Sequence, residues 1–489
     1  MRGITCDITC ASALSVTDVE ISDVTADSRR AGKGTLFAAL CGKRHNGNKF
    51  INDAVERGAV AVLTDERISA AAEVPVISVR DVKTVFSRLC ARMYADGAAS
   101  NIIAVTGTNG KTTTAMATAH IFASAGFETA VIGTVGKGFY GNMTPSYDGM
   151  TTPVPEELYR EIGKLSCAGA EYIIIEASSH GIAEGRLAGL IDTDCALKSA
   201  IFTNLSPEHL DYHADMEDYF RVKSRLFTDF GFVCSVINVD GRYGRRMADA
   251  ALGHVITVGD NADYGASCIE YGADGVGYLI SSSRLRLRVR CPAIGAYMAE
   301  NTLLAAATAL TSGIDPLTVT EAIGTFHGVR GRMEKVDTGS FGVSVYIDFA
   351  HTPEALSALL TSARRMHPQG RLILLFGCGG DRDKTKRAAM GAVASEYADY
   401  VVVTSDNSRT ERAEDIISDI LKGMAQASSY SVIESRKDAI EYTLKIASKG
   451  DVILLAGKGH EDYEDRNGEK TRFNEREIVR EVIDKINGS

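Results

Sequence analysis

Residues 101–120, NIIAVTGTNGKTTTAMATAH, leave the chain around them few folds to choose from. A short apolar run, Ile102 to Val105, reads as a buried strand. A turn follows through Gly107-Thr108-Asn109-Gly110, and a helical stretch begins at Lys111. A buried strand passing through a glycine turn into a helix opens a parallel α/β unit. The same order is the layout of a phosphate-binding loop. Successive backbone N–H groups and a helix N-terminus surround the anion, Lys111 reaches the terminal phosphates, and the Thr112 hydroxyl can hold Mg²⁺. Val105 stands where the longer pattern has its first glycine, so the match is to the short form GxxGKT. Alone, the string also suits an ordinary glycine turn. The strand before it and the helix after it favour phosphate binding. The loop points to a nucleoside triphosphate and leaves open what its energy is used for.

A chain of 489 residues exceeds one hydrophobic core, and two to four domains are expected. With 45% hydrophobic and 24% charged residues it has the composition of a soluble globular protein. A net charge of −10 argues against bulk nucleic-acid binding. The longest apolar runs are too short to span a membrane, and the opening MRGITCDITC has no basic segment leading into an apolar core. The ten cysteines are scattered, with no C-x-x-C pair, which suits free thiols in a cytoplasmic enzyme better than disulfides or a zinc ribbon.

Residues 1–98 read as a small α/β domain. Thr35–Leu40, Ala59–Leu63 and Pro75–Ser78 are predicted strands, and Phe50–Arg57 and Val82–Tyr94 predicted helices. Asp27-Ser28-Arg29 and His45-Asn46-Gly47 are two turns or, on the sharper reading, a pocket for a polar or phosphorylated ligand. The small polar stretch 95–100 reads as a linker.

The second domain is placed at 99–331. Thr129–Ile132 reads as a strand, and residues 133–149 as a glycine-rich excursion. Tyr172–Ile175 is a buried strand that ends in Glu176, where a second Mg²⁺ contact would sit at the C-terminal tip. The run 195–203 is another strand, ending in a polar cluster that contains His209 and His213. The helix Asp215–Phe227 carries an apolar stripe of Met216, Tyr219, Phe220, Leu226 and Phe227, and Lys223 falls on that stripe. Such a lysine usually snorkels to solvent. The alternative directs it into the site, where a bare ammonium would repel Mg²⁺ and a lysine carbamylated by CO₂ would not. Sequence physics does not choose between these. Ser283–Arg290 alternates strictly, a strand with a solvated basic face, and Asn301 is expected to open a helix that runs to Leu310. Residues 327–334 read as a hinge.

In a third domain, 332–489, position carries the reading. The strands Val343–Ile347, Leu372–Phe376, Tyr400–Val403 and Val452–Ala456 each run straight into a polar cluster. Parallel strands joined by helices place all four clusters along one edge, where open α/β sheets bind ligands. Both charge signs are present there, which suits a zwitterionic, amino-acid-like substrate.

These strings together resemble the Mur ligase family, and within it the members that add diaminopimelate. The resemblance covers essentially the whole chain through DSR at 27, GTNGKTT at 107, TTP at 151, EASSHG at 176, NLSPEHLDYH at 204, YFRVKSRLF at 219, GRME at 331, DFAHTPEAL at 348, GCGGDRDKTKR at 377 and GKGHEDY at 457. It implies an α/β, three-domain architecture: a small N-terminal domain, a central phosphate-loop ATPase domain and a C-terminal Rossmann-like domain. It also implies a cytoplasmic, monomeric enzyme of peptidoglycan precursor synthesis that has no nucleic-acid or membrane partner. Using ATP and Mg²⁺, the enzyme joins UDP-N-acetylmuramoyl-L-alanyl-D-glutamate to an amino acid through an acyl phosphate. By the same resemblance Ser28, Arg29 and His45 would contact the UDP part. Gly107, Thr108, Asn109, Gly110, Lys111 and Thr112 would bind ATP, and Asn301, Arg332, Asp348 and His351 would meet it as the C-terminal domain closes. Thr151, Thr152, Ser178, Glu184 and Arg186 would hold the muramoyl-dipeptide. Thr112, Glu176, His209 and Lys223, as its carbamate, would be Mg²⁺ ligands, with Lys111 among the catalytic groups. Arg382, Asp406, Asn407, Arg409, Gly457 and Glu461 would bind the incoming amino acid.

Three departures from the family strings stand out. DNPR is here Asp406-Asn407-Ser408-Arg409, so a stiff proline is lost while the arginine is kept. A guanidinium suits the second carboxylate of meso-diaminopimelate, which favours that substrate over L-lysine or another diamine. Glu184 stands where relatives often have Gln, and Met298 where they often have Asn beside the adenine. A folylpolyglutamate synthetase would share the phosphate loop without the full C-terminal set of strings. A non-catalytic nucleotide-binding homologue is disfavoured by intact Lys111, Glu176, His209 and Lys223.

Overall fold

The computed structural model describes residues 8–10, 19–42, 46–65, 74–145, 150–209, 212–272, 274–424 and 429–487. Contacts divide the chain into two compact units. The first is 1–258 with 307–312, and the second is 259–306 with 313–489.

The first unit holds two sheets. The smaller runs in the order Ile8–Cys10, Val76–Val79, Ala61–Thr64, Thr35–Ala38, Asp23–Thr25, parallel except for its first edge strand. The larger has eight strands, with Asn101–Thr106 between Ala196–Phe202 and Tyr172–Glu176. Six of the eight are parallel. The predicted glycine-rich excursion supplies the other two, an antiparallel hairpin of Gly136–Phe139 and Asn142–Thr144. Ile173, Ile174 and Ile175 are wholly buried, as a central parallel strand covered on both faces requires. The helix Lys111–Ser124 lies on this sheet, and Phe122 packs there against Tyr172 with ring centroids 4.6 Å apart.

The stretch 95–100 is not a loose linker. Ala95, Ala98 and Ser100 are buried. The Ala99 N–H donates to Ser166 Oγ (3.0 Å) and Ser100 Oγ–H donates to the Ala170 carbonyl (2.6 Å). A Cβ on Gly163 would stand 2.0 Å from the Tyr94 carbonyl, so the connection sits directly on the helix Pro155–Cys167. Small residues here permit close packing where composition had suggested flexibility. The two sheets are joined further by Glu156, which accepts from Thr25 Oγ and Ala26 N, and by Arg160, which stacks on Tyr94 and donates to Asp23.

The second unit holds a three-stranded antiparallel sheet, Gly265–Gly272, Gly275–Ser281 and Arg286–Cys291. On its last strand Arg286, Arg288 and Arg290 are exposed and Val289 is buried, so the basic face is solvated as expected. The helix predicted from Asn301 begins three residues earlier, as Met298–Thr311. Asn301 is not its cap. Its side chain is buried, and its N–H already bonds the Tyr297 carbonyl. The predicted hinge leads into Glu334–Val336, an antiparallel edge strand of a six-stranded sheet. That sheet continues Ser344–Asp348, Val452–Ala456, Leu372–Phe376, Tyr400–Val403, Tyr430–Val432, all parallel. The four predicted strands are neighbours in it, so their C-terminal ends share one edge.

Beneath that edge Arg436 is wholly buried. Its Nε donates to Glu475 Oε1 (2.8 Å) and its Nη2 to the Ala456 carbonyl (2.9 Å). Removing one partner of such a pair leaves an uncompensated buried charge. Arg436→Met is expected to destabilise the protein by about 3–5 kcal/mol in denaturant unfolding, with much of the loss recovered when Glu475 is also made apolar. A loss below about 1 kcal/mol, in the range of an exposed pair, would contradict this packing.

Candidate active site

The phosphate loop is held from the neighbouring strand's end. Gly107 has φ of +150° and a Cβ there would meet Thr203 Oγ1 at 1.9 Å, so only glycine fits. Gly110, at φ +84°, turns the chain into the helix at Lys111. Asn204 accepts the N–H groups of Thr108, through its carbonyl, and of Asn109, through Oδ1, both at 2.9 Å. Thr203 Oγ–H donates to the Asn109 carbonyl at 2.6 Å. Lys111 Nζ lies over the loop, donating to the carbonyls of Gly107 (3.0 Å) and Thr108 (2.7 Å).

Lys223 does not snorkel. It is buried on the helix Met216–Thr228, with Nζ 2.7 Å from the Gly107 carbonyl and 3.4 Å from Thr106 Oγ1. Burial, then the nearby charge of Lys111, hold its pKa well below that of an ordinary lysine. Tyr219, one turn earlier, brings its hydroxyl to 3.2 Å from Thr108 Oγ1. The stripe that looked like simple core thus braces the loop.

Glu176 is fully buried. Thr112 Oγ–H donates to its Oε2 (2.8 Å), and Thr134 donates to it through both N–H (2.8 Å) and Oγ–H (3.1 Å). Thr134 had gone unremarked in the sequence. Its place after the strand Thr129–Gly133, next to Tyr172–Glu176, is the signal that would have found it. His209, at φ +56°, packs its ring on His180 (4.8 Å) and near Tyr219 (6.4 Å), with Nε2 3.7 Å from Glu208 Oε2. Among the described residues no three His, Cys, Asp or Glu side chains converge as a ready metal centre. The buried Glu176 carboxylate and the Thr112 hydroxyl do supply hard oxygen donors at the loop, the type Mg²⁺ takes.

The expected dipeptide residues cluster beside Glu176. Thr152 Oγ–H donates to the Glu176 carbonyl (2.7 Å), and its oxygen accepts the Ser178 N–H (2.9 Å). Arg186 Nη1 donates to the Thr152 carbonyl (2.6 Å), and Thr151 Oγ1 lies 3.1 Å from Thr134 Oγ1. Ser178 also caps the short helix Ser179–Ala183. Glu184, the departure from the family's Gln, is paired with Lys83 (2.6 Å) and accepts from Tyr212 OH (2.7 Å). Burial pushes its pKa up, but Lys83 and Tyr212 outweigh that and keep the carboxylate below its usual range. Of the predicted UDP contacts, Ser28 is buried in a short 3₁₀ turn capped by Asp27. Arg29 is bonded back to Asp27 through Nε (2.9 Å) and Nη2 (2.7 Å), its side chain largely exposed. His45 lies outside the described residues.

In the second unit, Asp348 is buried and accepts from Met333 N (2.6 Å), Ala350 N (2.7 Å) and Tyr297 OH (3.3 Å). Burial raises its pKa, against the pull of Arg332. Arg332 stacks over Phe349 (4.8 Å), and the Nδ1 of His351 is 2.9 Å from the Phe349 carbonyl. Met298 is fully buried.

At the edge of the six-stranded sheet, Asn407 Nδ2 donates to Glu461 Oε2 (2.7 Å). Lys458, in the polar cluster that follows Val452–Ala456, donates to Asn407 Oδ1 (2.9 Å) and lies 3.4 Å from Asp406. Burial would raise the Asp406 pKa, but Lys458 and Arg436 bring it below the ordinary value. Burial and then Asp406 raise that of Glu461. A Cβ on Gly457 would meet Asp406 Oδ2 at 2.6 Å. Arg409, at φ +49°, donates through Nη1 to the Gly380 carbonyl (2.6 Å), while Arg382 is exposed on the adjacent loop. The described cysteines are free thiols, and among the described residues no helix is long and apolar enough to cross a membrane.

A phosphate loop on a parallel sheet, followed by a second parallel sheet whose edge gathers both charge signs, defines a nucleotide-dependent α/β enzyme. Models of the Mur ligase family match three stretches: "Mur ligase family, catalytic domain" at 20–94, "Mur ligase middle domain" at 105–309, and "Mur ligase, glutamate ligase domain" at 331–459. The chain belongs to the Mur ligase family. It is 38% identical over 478 residues, 95% of each chain, to the UDP-N-acetylmuramoyl-L-alanyl-D-glutamate--2,6-diaminopimelate ligase of Trichormus variabilis. To the ligase of that name from Aquifex aeolicus it is 36% identical, over 95% of this chain and 94% of the relative. A solved structure of such a ligase superposes with a TM-score of 0.68 at 31% identity, over 96% of each chain. MurF from Thermotoga maritima in complex with ADP shares the fold, at TM-score 0.60 and 17% identity over 96% of this chain and 98% of that one.

Glu411, two residues after Arg409 on the same loop, has its pKa held down to about 2 by hydrogen bonds from Arg387 and Lys384. A depressed carboxylate stabilises the fold above its ordinary value of 4.5, and that contribution fades as pH falls from 4.5 toward about 2. Denaturant unfolding over that range should show a shallower pH dependence for Glu411→Gln than for the wild type. Parallel curves would contradict the pairing.

Proposed function

We propose that this chain is the ATP-dependent ligase that adds meso-2,6-diaminopimelate to the D-glutamyl γ-carboxyl of UDP-N-acetylmuramoyl-L-alanyl-D-glutamate, a cytoplasmic step of peptidoglycan precursor synthesis. The observation that carries the reading is Arg409. Its guanidinium is fixed at 2.6 Å on the Gly380 carbonyl, on the sheet edge that also bears Asp406, Asn407 and Glu461. A zwitterion with a second carboxylate suits that mixture of charges. Full-length likeness to ligases of that name supports it.

A carboxylate does not react with an amine at neutral pH. The γ-carboxylate oxygen attacks the terminal phosphorus of ATP, ADP leaves, and an acyl phosphate forms. The amine of diaminopimelate then adds to the acyl carbon, a proton is lost, and the tetrahedral intermediate expels inorganic phosphate. Lys111 and the N–H groups of Gly110, Lys111 and Thr112, at the turn into the helix, offset negative charge during the first transfer, while those of Thr108 and Asn109 are held by Asn204. Thr151, Thr152, Ser178, Glu184 and Arg186 orient the dipeptide, with Ser28, Arg29 and His45 toward its UDP part. Asn301, Arg332, Asp348 and His351 are assigned to ATP. Arg382, Asp406, Asn407, Arg409, Gly457 and Glu461 are assigned to the incoming amino acid.

Thr112, Glu176, His209 and Lys223 as its carbamate would hold Mg²⁺, which when bound neutralises phosphate charge. The carbamate assignment draws on the burial of Lys223 against the loop, where a bare ammonium would oppose a cation. The domain bounds 1–98, 99–331 and 332–489 and a monomeric state belong to the same proposal.

Phosphate release from ATP with the UDP-muramoyl-dipeptide, comparing meso-diaminopimelate, L-lysine and L-ornithine, tests the reading. Release is expected with meso-diaminopimelate. Release driven by lysine or ornithine alone would keep the ligase and overturn the substrate, and release with none would overturn both. In the same assay Lys223→Ala should be inactive, unrescued by bicarbonate and partly rescued by short-chain carboxylic acids. Full activity of that variant would sink the carbamate role.

A further inference from the structure

Arg387 lies in the first turn of the helix Thr385–Tyr397, where a cation opposes the helix dipole, and its side chain is nevertheless buried. Helix stability does not account for it there, whereas its contacts do. Nη1 and Nη2 fork onto the two oxygens of Glu411, at 3.1 and 2.9 Å, and Nη1 also reaches Asp419 at 3.0 Å. Nη2 approaches the Gly379 carbonyl at 3.5 Å. Glu411 passes the constraint on, because its Oε1 accepts the Asp381 N–H at 2.7 Å.

Asp381 and Glu411 belong to two different loops, 377–383 and 404–411, which leave the ends of the neighbouring strands Leu372–Phe376 and Tyr400–Val403. The loops are zipped together. Gly380 N–H donates to the Asn407 carbonyl (2.9 Å), and a Cβ on Gly380 would meet the Ser408 carbonyl at 1.9 Å. Asp381 accepts from Thr410 through N–H (3.2 Å) and Oγ–H (2.8 Å). Each loop holds one non-glycine residue in the left-handed region, Asp381 at φ +53° and Arg409 at φ +49°. Such residues persist only where their surroundings over-determine them. Ser408, between Asn407 and Arg409, has no ring to fix its own backbone.

We propose that Arg387 is a positioning residue for the incoming amino acid: through Glu411 and Asp381 it locks the two loops into one frame, which sets where Arg409 and Arg382 meet the substrate. It touches no substrate itself. This rests on the diaminopimelate reading above. Lys384 pairs with Glu411 at 2.8 Å and Lys422 with Asp419 at 2.6 Å, so three cations and two carboxylates meet around Arg387. A lysine in place of Arg387 keeps the charge and loses the fork.

Arg387→Lys and Glu411→Gln are made in the full chain, and each KM is measured with the other two substrates saturating. The KM for meso-diaminopimelate is expected to rise roughly 10- to 100-fold, the loss expected when a charge-assisted contact is misplaced. Those for ATP and the UDP-dipeptide should stay within about twofold. Amide exchange at Asp381 and Thr410 should quicken. An unchanged KM for diaminopimelate with only kcat reduced, or equal rises in all three KM values, would overturn the proposal and leave a merely structural residue. If Arg387→Lys does not fold, Glu411→Gln alone decides by the same criterion. A wild type driven only by lysine would overturn the substrate reading instead, and the criterion then applies to the KM for lysine.

Discussion

A lysine amine with almost no access to water, 2.7 Å from the carbonyl of Gly107, sets the shape of the nucleotide loop. Burying such a group is costly unless it is hydrogen-bonded, so the helix Met216–Thr228 and the loop are committed to each other. Tyr219 adds a second tie to Thr108, and Thr203 with Asn204 closes the loop from the other side. The loop therefore takes its conformation from two elements that lie far from it in sequence. The carboxylate of Glu176 comes to the same place because its strand pairs in parallel with the strand that feeds the loop.

The second unit solves a different problem with the same architecture. Its central strands are apolar and buried, and they release their polar residues together at one edge. Mixed charges so close together need support from below, and Lys458, Arg436 and Glu475 supply it from within the protein. The pKa of Asp406 is drawn down because two buried cations, Lys458 and Arg436, outweigh its burial. Glu461 is pushed the other way by burial and by Asp406. Two carboxylates whose charges act on one another are thus shifted in opposite directions.

Much of this was legible in the chain because it depends on local order. The helix Val82–Tyr94 and the strands Leu372–Phe376, Tyr400–Val403 and Val452–Ala456 appear with the predicted bounds, each marked by periodicity or by an unbroken apolar run. What failed to show depends on distant partners. Arg387 and Arg436 sit on helices as charged residues, normally solvent-facing, and are buried by acids 24 and 39 positions away. The helix expected to open at Asn301 begins instead at Met298, whose N–H bonds the Gly295 carbonyl. Residues 95–100 looked flexible because they are small, and smallness is what lets them pack. The direction of Lys223 could not be chosen from spacing, since snorkelling and burial share one stripe.

The central claim is that a carboxylate is activated by phosphoryl transfer on the loop built around Lys111 and Lys223. The most direct measurement labels the D-glutamyl γ-carboxylate of the UDP-muramoyl-dipeptide with ¹⁸O and analyses the phosphate released during turnover with ATP and meso-diaminopimelate. An acyl phosphate requires that each released phosphate carry one oxygen from the carboxylate. Phosphate without label, with amide product still formed, would contradict the account.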